Sequence, residues 1–369
     1  VDGQRRLKVA VVFGGRSSEH AISCISAGSV LAALDRDRYD VVPIGITPEG
    51  RWVVERDEPE RLRITEGQLP AVDASGHHVV LSGDPTHRGP VVRDGVEAAG
   101  VMRDVDVVFP VLHGPWGEDG TIQGLLELAG IPYVGSGVFA SAAAMDKGHM
   151  KAVLAAAGLE VGPYQLITAR QWSDDRAGVL QRLGALTMPV FVKPARAGSS
   201  VGITRVTDPA GLAEAIDAAR AHDPRVIVEQ GFVGIREIEC GVLDGPDGPV
   251  ASTSAEIVVR EGHEFYDFDA KYLDDAVDLI VPADLPPHVE QAVRRQAVAA
   301  FEALTCEGLA RVDFFVTVDG RAVVNEVNTM PGFTSISMFP RMWQASGMTY
   351  PELVDHLVRD ALRRGTGLR

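Results

Sequence analysis

An α/β protein of two or three domains is what the 369-residue sequence predicts, with a parallel α/β unit first and α+β sections after it. Three observations carry that expectation. Apolar strands alternate with helices over residues 1–135, a glycine-rich loop separates two strands near residue 198, and the last third gathers strands around one long amphipathic helix.

The elements follow in order. LKVAVVFGG reads as a buried strand and a tight glycine turn, and RSSEHAISCISAGSVLAAL as a helix entered through Ser17 or Ser18. YDVVPIGIT is a second strand. Residues 55–100, rich in Pro, Gly, Asp and His, have weak periodicity and read as long surface connections before VDVVFPVLHG returns as a buried strand. The regular alternation makes the sheet of this unit parallel. SAAAMDKGHMKAVLAAAGL predicts one helix stopped by Gly158, and PVFVKPARAGSSVGITRV predicts antiparallel strand, loop and strand. VIVEQGFVGIREIECGVL opens a third section of strands, and Pro286 and Pro287 start the helix PPHVEQAVRRQAVAAFEALTC.

Composition narrows the function classes. Apolar content of 46% with 23% charged residues is that of a soluble globular enzyme. Lys and Arg number 35 against 51 Asp and Glu, a formal charge of -16, and no basic run is suited to tracking a phosphate backbone, so nucleic acid is not an expected partner. An anionic substrate requires local cations that override the global field. Cys24, Cys240 and Cys306 form no CxxC pair, which argues against a disulfide framework or a zinc site and fits a reducing cytoplasm. No apolar run reaches the ~18 residues of a membrane span, and the N-terminal segment turns into a strand instead of a signal-peptide core.

The chemistry concentrates in VDFFVTVDGRAVVNEVN, residues 312–328. Asp319-Gly320 predicts a two-residue turn with Val318 opposite Arg321. That register places Asp313 opposite Glu326 and Arg311 opposite Asn328, all four on one face, while Val312, Phe314, Val316, Val323 and Val327 form a core face. Opposed carboxylates with Cβ atoms roughly 4.5–5.5 Å apart repel. Either a cation removes the repulsion, with carboxylate and amide oxygens as hard ligands for a magnesium-nucleotide complex, or Arg311 neutralises the pair in a structural network.

Two glycine patterns compete as phosphate sites. GSGVFA at 135–140 follows a strand and opens a helix, but the alanine-rich helix after it stands where a second parallel strand with an acidic end belongs, so a domain-linking turn is the better reading. RAGSSVG at 196–202 is either a plain hairpin loop or a mobile flap whose amides cradle phosphate, with Lys193 as its point charge. Lys147 in MDKGHMK is by itself an ordinary helical lysine. Beyond the hairpin, NTMPGFTSISM could set the backbone amide of Gly332 near an oxyanion.

Taken together, FGGRSSEHAIS, HGPWGEDG, MDK, FVKPARAGSSVG, EFYDFDAKY, ARVDFF and NEVNTMPGFTSIS resemble, in family order and along nearly the whole chain, the D-alanine:D-alanine ligases of the ATP-grasp family. The resemblance implies three domains: an N-terminal substrate domain at 1–135, a central subdomain with the flap at 136–228, and a C-terminal subdomain with the metal and oxyanion site at 229–369. It implies ATP-dependent joining of two D-alanines through a D-alanyl phosphate for peptidoglycan precursor synthesis in the cytoplasm, and a homodimer. By the same resemblance Asp313, Glu326 and Asn328 hold two Mg2+ ions, with Mn2+ as a substitute. Lys147, Lys193 and Lys271 contact ATP phosphates, Glu229 and Phe232 border adenine, and Glu237 binds ribose. Glu19 and His113 meet the first substrate, and Ser199 and Tyr272 complete a hydrogen-bonded triad with Glu19. Arg311 and Gly332 receive the oxyanion, and Ser337 and Met338 the second carboxylate. Retention of the AKY pattern at Lys271 and Tyr272 favours dipeptide over depsipeptide synthesis. Another carboxylate-amine ligase, or a nucleotide-binding module without turnover, is the competing expectation; Arg311 beside a metal set argues against the latter.

Overall fold

Hydrophobic strands dominate the first third of the chain, and the computed structural model, which describes residues 5–65, 67–86, 90–92, 105–198, 201–259 and 277–367, shows how they pair. Leu7–Gly14 (β1) lies between Tyr39–Ile46 (β2) and Val107–Val111 (β6), parallel to both. Trp52–Val54 (β3), His77–Leu81 (β4) and Pro90–Val92 (β5) extend the sheet antiparallel, in the order β5-β4-β3-β2-β1-β6. The expectation of an all-parallel sheet with connections over 55–100 is therefore corrected. HHVVL is five residues long and does not alternate polar with apolar, so periodicity does not separate it from the surrounding loop.

β1 is buried on both faces. Val9, Val11 and Phe13 pack under His20–Ala33 (α1), whereas Ala10 and Val12 pack with Thr121–Ala129 (α2). Entry into α1 comes later than Ser17 or Ser18. The Ser17 hydroxyl accepts from the Glu19 amide at 3.1 Å in a short turn, and Glu19 itself stands at the N-cap.

The predicted single helix after residue 137 is two: Val138–Met145 (α3) and Lys147–Ala156 (α4). Asp146 breaks it, its carboxylate accepting the His149 amide at 3.1 Å as the cap of α4. The break puts Lys147 in the first turn of a helix.

Tyr164–Ile167 (β7), Val190–Pro194 (β8), Thr204–Val206 (β9) and Val226–Gln230 (β10) form a second, antiparallel sheet in the order β7-β10-β8-β9. Ala169–Asp174 (α5), Arg176–Leu183 (α6) and Leu212–Arg220 (α7) cover it through Trp172, Val179, Leu183 and Ile216. The third sheet contains Arg236–Leu243 (β11), Val250–Val259 (β12), Val277–Ile280 (β13), Leu309–Val316 (β14) and Ala322–Asn328 (β15), antiparallel in the order β13-β12-β11-β14-β15. Pro287–Ala303 (α8) and α4 pack on one side of it. Met338–Ala345 (α9) and Tyr350–Arg364 (α10) share a core with α1 and β1.

The β14–β15 hairpin departs from the predicted turn. Thr317 and Arg321 close it, leaving Val318, Asp319 and Gly320 as a three-residue loop with Gly320 at φ +81°. The Asp319 carboxylate accepts from the Thr317 hydroxyl and the Arg321 guanidinium, which favours this loop over the tighter turn. A bulge near Asn325 then restores the register, so Arg311 faces Asn328 and Asp313 faces Glu326 as expected. Between the two irregularities the faces exchange: Val324 joins the core with Val312, Phe314, Val316 and Val327, and Val323 pairs with Phe315 instead.

Candidate active site

A cavity of about 920 Å3 opens where the carboxyl ends of β1 and β6 approach the second and third sheets. Its floor is a row of side chains on three adjacent strands. Glu239 on β11 registers with Asp313 on β14, which registers with Glu326 on β15; one step along, Gly241, Arg311 and Asn328 form the next row. The small Gly241 leaves room for Phe339 and Trp343, each with an atom 3.0 Å from where a Cβ would stand.

Arg311 grips Asp313 in a fork, both contacts 2.7 Å, and meets Glu239 at 3.3 Å. Burial opposes the charge, yet Asp313 and Glu239 hold the Arg311 pKa well above its ordinary value. The Asn328 amide nitrogen donates to the same Asp313 carboxylate at 3.0 Å. Glu326 turns to Lys147, 3.3 Å away. A cation in the first turn of a helix opposes the macrodipole; the Lys147 ammonium is held there by Glu326 and by the Ala197 carbonyl at 3.1 Å.

Lys193, on β8, and Lys151, on α4, converge on Glu229 of β10, the latter at 2.8 Å. Burial alone would raise the Glu229 pKa, but the two ammonium groups bring it down to about 2. Glu229 thus raises the Lys193 pKa against burial, whereas burial outweighs it at Lys151 and lowers that ammonium's pKa. Phe232 packs its ring 5.6 Å from Phe315 at the same wall, and Glu237 on β11 lines it.

The opposite wall comes from the first sheet. Glu19 is buried, and a Cβ added to Gly114 or Gly198 would stand 2.7 or 2.9 Å from its carboxylate oxygen. Those glycines let the loop after β6 and the loop after β8 close on Glu19. His113 Nδ1 lies 3.1 Å from the Met330 carbonyl, which only accepts, so this nitrogen carries the proton; Nε2 then accepts from the Ser26 hydroxyl at 3.1 Å. Burial lowers the His113 pKa, consistent with that neutral ring. Ser337 leads into α9 and joins its hydroxyl to that of Thr334 at 2.7 Å, 3.3 Å from where a Cβ on Gly332 would stand. The Met338 side chain is in the core, so only its backbone can serve a ligand.

Ser199, Lys271 and Tyr272 lie outside the described residues. The structure brings the other predicted residues, from Glu19 to Met338, to this one cavity. Four contributors were missed. Lys151 follows Lys147 by four residues, the spacing of one helix face; Glu239 follows Glu237 by two, the spacing of one strand face; Glu118 sits inside HGPWGEDG. Ser26 had no signal, being one serine among several on α1.

Hard donors suit a hard cation. Glu239, Asp313 and Glu326 are three carboxylates facing two cations, Arg311 and Lys147. Among the described residues no group of three or more His, Cys, Asp and Glu side chains is arranged to hold a metal, because these carboxylates stand in a row and not around a point. A magnesium ion completed by phosphate oxygens and water needs only one or two of them, so Asp313, Glu326 and Asn328 fit it.

Family models meet the same chain twice: "D-ala D-ala ligase N-terminus" matches residues 8–136 and "D-ala D-ala ligase C-terminus" residues 153–359. The chain belongs to the D-Ala–D-Ala ligase family. Curated family members include the D-alanine–D-alanine ligase of Streptomyces coelicolor, 58% identical over 370 residues, 98% of this chain and 95% of the relative. That of Frankia casuarinae is 60% identical over 386 residues, 99% of both. Among solved structures of such ligases, the VanG D-Ala:D-Ser ligase from Enterococcus faecalis superposes with a TM-score of 0.85 at 36% identity, covering 97% of this chain and 100% of that one. The D-alanine-D-alanine ligase from Coxiella burnetii gives 0.82 at 35%, covering 98% and 95%. The ligase family's ATP-grasp architecture accounts for the antiparallel second and third sheets facing each other across the cavity.

Proposed function

We propose that the protein joins two D-alanines to D-alanyl-D-alanine with ATP, supplying a peptidoglycan precursor. The observation that carries this is the row Arg311, Asp313, Glu326 and Asn328 facing a cavity in which Glu19, His113 and three lysines converge. A carboxylate is a poor electrophile; phosphorylation of its oxygen makes that oxygen a leaving group. The first D-alanine's carboxylate takes the γ-phosphoryl group and ADP leaves. The second D-alanine's free amine attacks the carbonyl carbon, and phosphate departs with one carboxylate oxygen.

Each side chain has a task in this reading. Glu19 meets the first ammonium, with neutral His113 beside it. Lys147 and Lys193, and with them Lys271, bind ATP phosphates; Glu229 and Phe232 border adenine and Glu237 the ribose. Two magnesium ions, or manganese in their place, would be held by Asp313, Asn328 and a bridging Glu326, and would neutralise phosphate charge. Arg311, which grips Asp313, would face the oxyanion together with the Gly332 amide once Asp313 served a metal. Ser337 and the Met338 backbone receive the second carboxylate, and Ser199 and Tyr272 tie the flap to Glu19. A homodimer in the cytoplasm belongs to the same reading; among the described residues no helix is long and apolar enough to cross a membrane.

The test is product analysis with ATP, magnesium and D-alanine, alone or with D-serine or D-lactate as a competing acceptor. D-alanyl-D-alanine as the dominant product is expected at neutral pH. Dominance of a mixed product, or turnover only with a different amine, would replace D-alanine as the second substrate.

A further inference from the structure

β15 is the last strand of its sheet, bridged on its outer side at Val324 by Val161, and the bulge leaves Asn325 without a ladder partner on β14. Helix α4 supplies substitutes in succession. The Lys151 ammonium donates to the Asn325 carbonyl at 2.9 Å, Lys147 meets the Glu326 carboxylate at 3.3 Å, and Met150 Sδ accepts from the Val327 amide at 3.2 Å. Residues at i, i+3 and i+4 share one helical face, so three consecutive strand residues are gripped by one face of one helix.

The register shows what the grip maintains. Without the extra residue, the pairing that runs from Val316–Ala322 to Phe314–Val324 would continue to Asp313–Asn325, and Glu326 would point into the core. With it, Glu326 stands opposite Asp313 on the cavity side. Lys151 is enclosed at 2% exposure, where an ammonium is retained only with close partners; Glu229 at 2.8 Å is one and the bulge carbonyl is the other.

We propose that Lys147, Met150 and Lys151 form a template for the β15 bulge, and that Lys151 is thereby a positioning residue for the Asp313–Glu326 pair. The second clause rests on the metal role proposed for that pair. Lys151 also links this pair to Glu229 at the nucleotide wall, so the two halves of an ATP–metal complex are set by one buried ammonium.

The experiment compares wild-type enzyme with Lys151→Met, which keeps the length and apolar stem of the side chain. Amide hydrogen exchange without metal is read over residues 325–328, and the magnesium concentration giving half-maximal rate is read with saturating ATP. Loss of one charge-assisted contact to the bulge is expected to speed exchange there by about tenfold or more while β11 and β14 stay protected. The half-saturating magnesium concentration is expected to rise about 10–100-fold, with KM for D-alanine unchanged. Unchanged exchange at 325–328 would overturn the template. Faster exchange with unchanged magnesium dependence would retain the template and overturn the positioning role; failure of the metal reading itself would show instead as a Glu326→Ala variant with undiminished turnover at saturating magnesium. If Lys151→Met does not fold, Met150→Leu removes only the sulfur acceptor, and exchange at Val327 should rise by about threefold; an unchanged rate there would overturn the template equally.

Discussion

Glu118 accepts backbone amides on both carboxylate oxygens, from Gly114 at 2.5 Å and Met330 at 3.3 Å, half-buried in the cavity wall. Burial first, and then the nearby Glu19 charge, push its pKa up to about 8. An unfolded glutamate titrates at roughly 4.3. Between those values the folded state holds a proton that the unfolded state has lost, so the stability this group contributes is complete below roughly 4.3 and is lost as pH rises through about 8. Glu118→Gln should therefore flatten the fall of melting temperature across that window; parallel profiles for the two proteins would refute it. Glu326→Ala should lower turnover by at least about a hundredfold and leave the circular dichroism spectrum unchanged, since it removes a carboxylate proposed as a metal ligand and no core packing. Activity within a few-fold of wild type at saturating magnesium would contradict the metal assignment.

At the scale of elements, Gly14 ends β1 at φ +86°, and a Cβ there would lie 2.4 Å from the Ile46 carbonyl oxygen of the neighbouring strand. Gly14→Ala should cost about 2–4 kcal/mol in denaturant unfolding, combining positive-φ strain with a backbone clash. Loss below about 0.5 kcal/mol would mean that the turn relaxes. The sequence reading of the β14–β15 hairpin reached the right facing residues through two errors that cancel. Asp-Gly suggested the tighter turn, but Asp319 is occupied by Thr317 and Arg321; the bulge that compensates has no local signature, because its partners are 174 and 177 residues away. The break at Asp146 was hidden for a different reason: alanines on both sides sustain helix propensity, and only the capping carboxylate interrupts it. Periodicity reports what an element does by itself and is silent on distant caps.

Across the whole molecule, the two ends of the chain share one core. Leu353, Val354, Leu357, Val358 and Ala361 of α10 are fully buried in the cluster that holds Val9, Val11 and Phe13 of β1. Removing residues 350–369 should therefore expose the part of this core that α10 covers and give an aggregating protein; a soluble, cooperatively melting product would contradict the shared core. Charge shows the same limit on local reading. A chain of formal charge -16 made an anionic substrate depend on local cations, and folding gathers Lys147, Lys151, Lys193 and Arg311 around one cavity. The order of motifs was legible because each motif among the described residues contributes its own side chains; the convergence was not, because three separate sheets supply it. The central claim, that this convergence joins two D-alanines through an acyl phosphate, is tested by turnover with D-alanine carrying 18O in its carboxylate. The account predicts D-alanyl-D-alanine together with phosphate containing one 18O per dipeptide formed. Unlabelled phosphate, or ATP consumption without dipeptide, would contradict it.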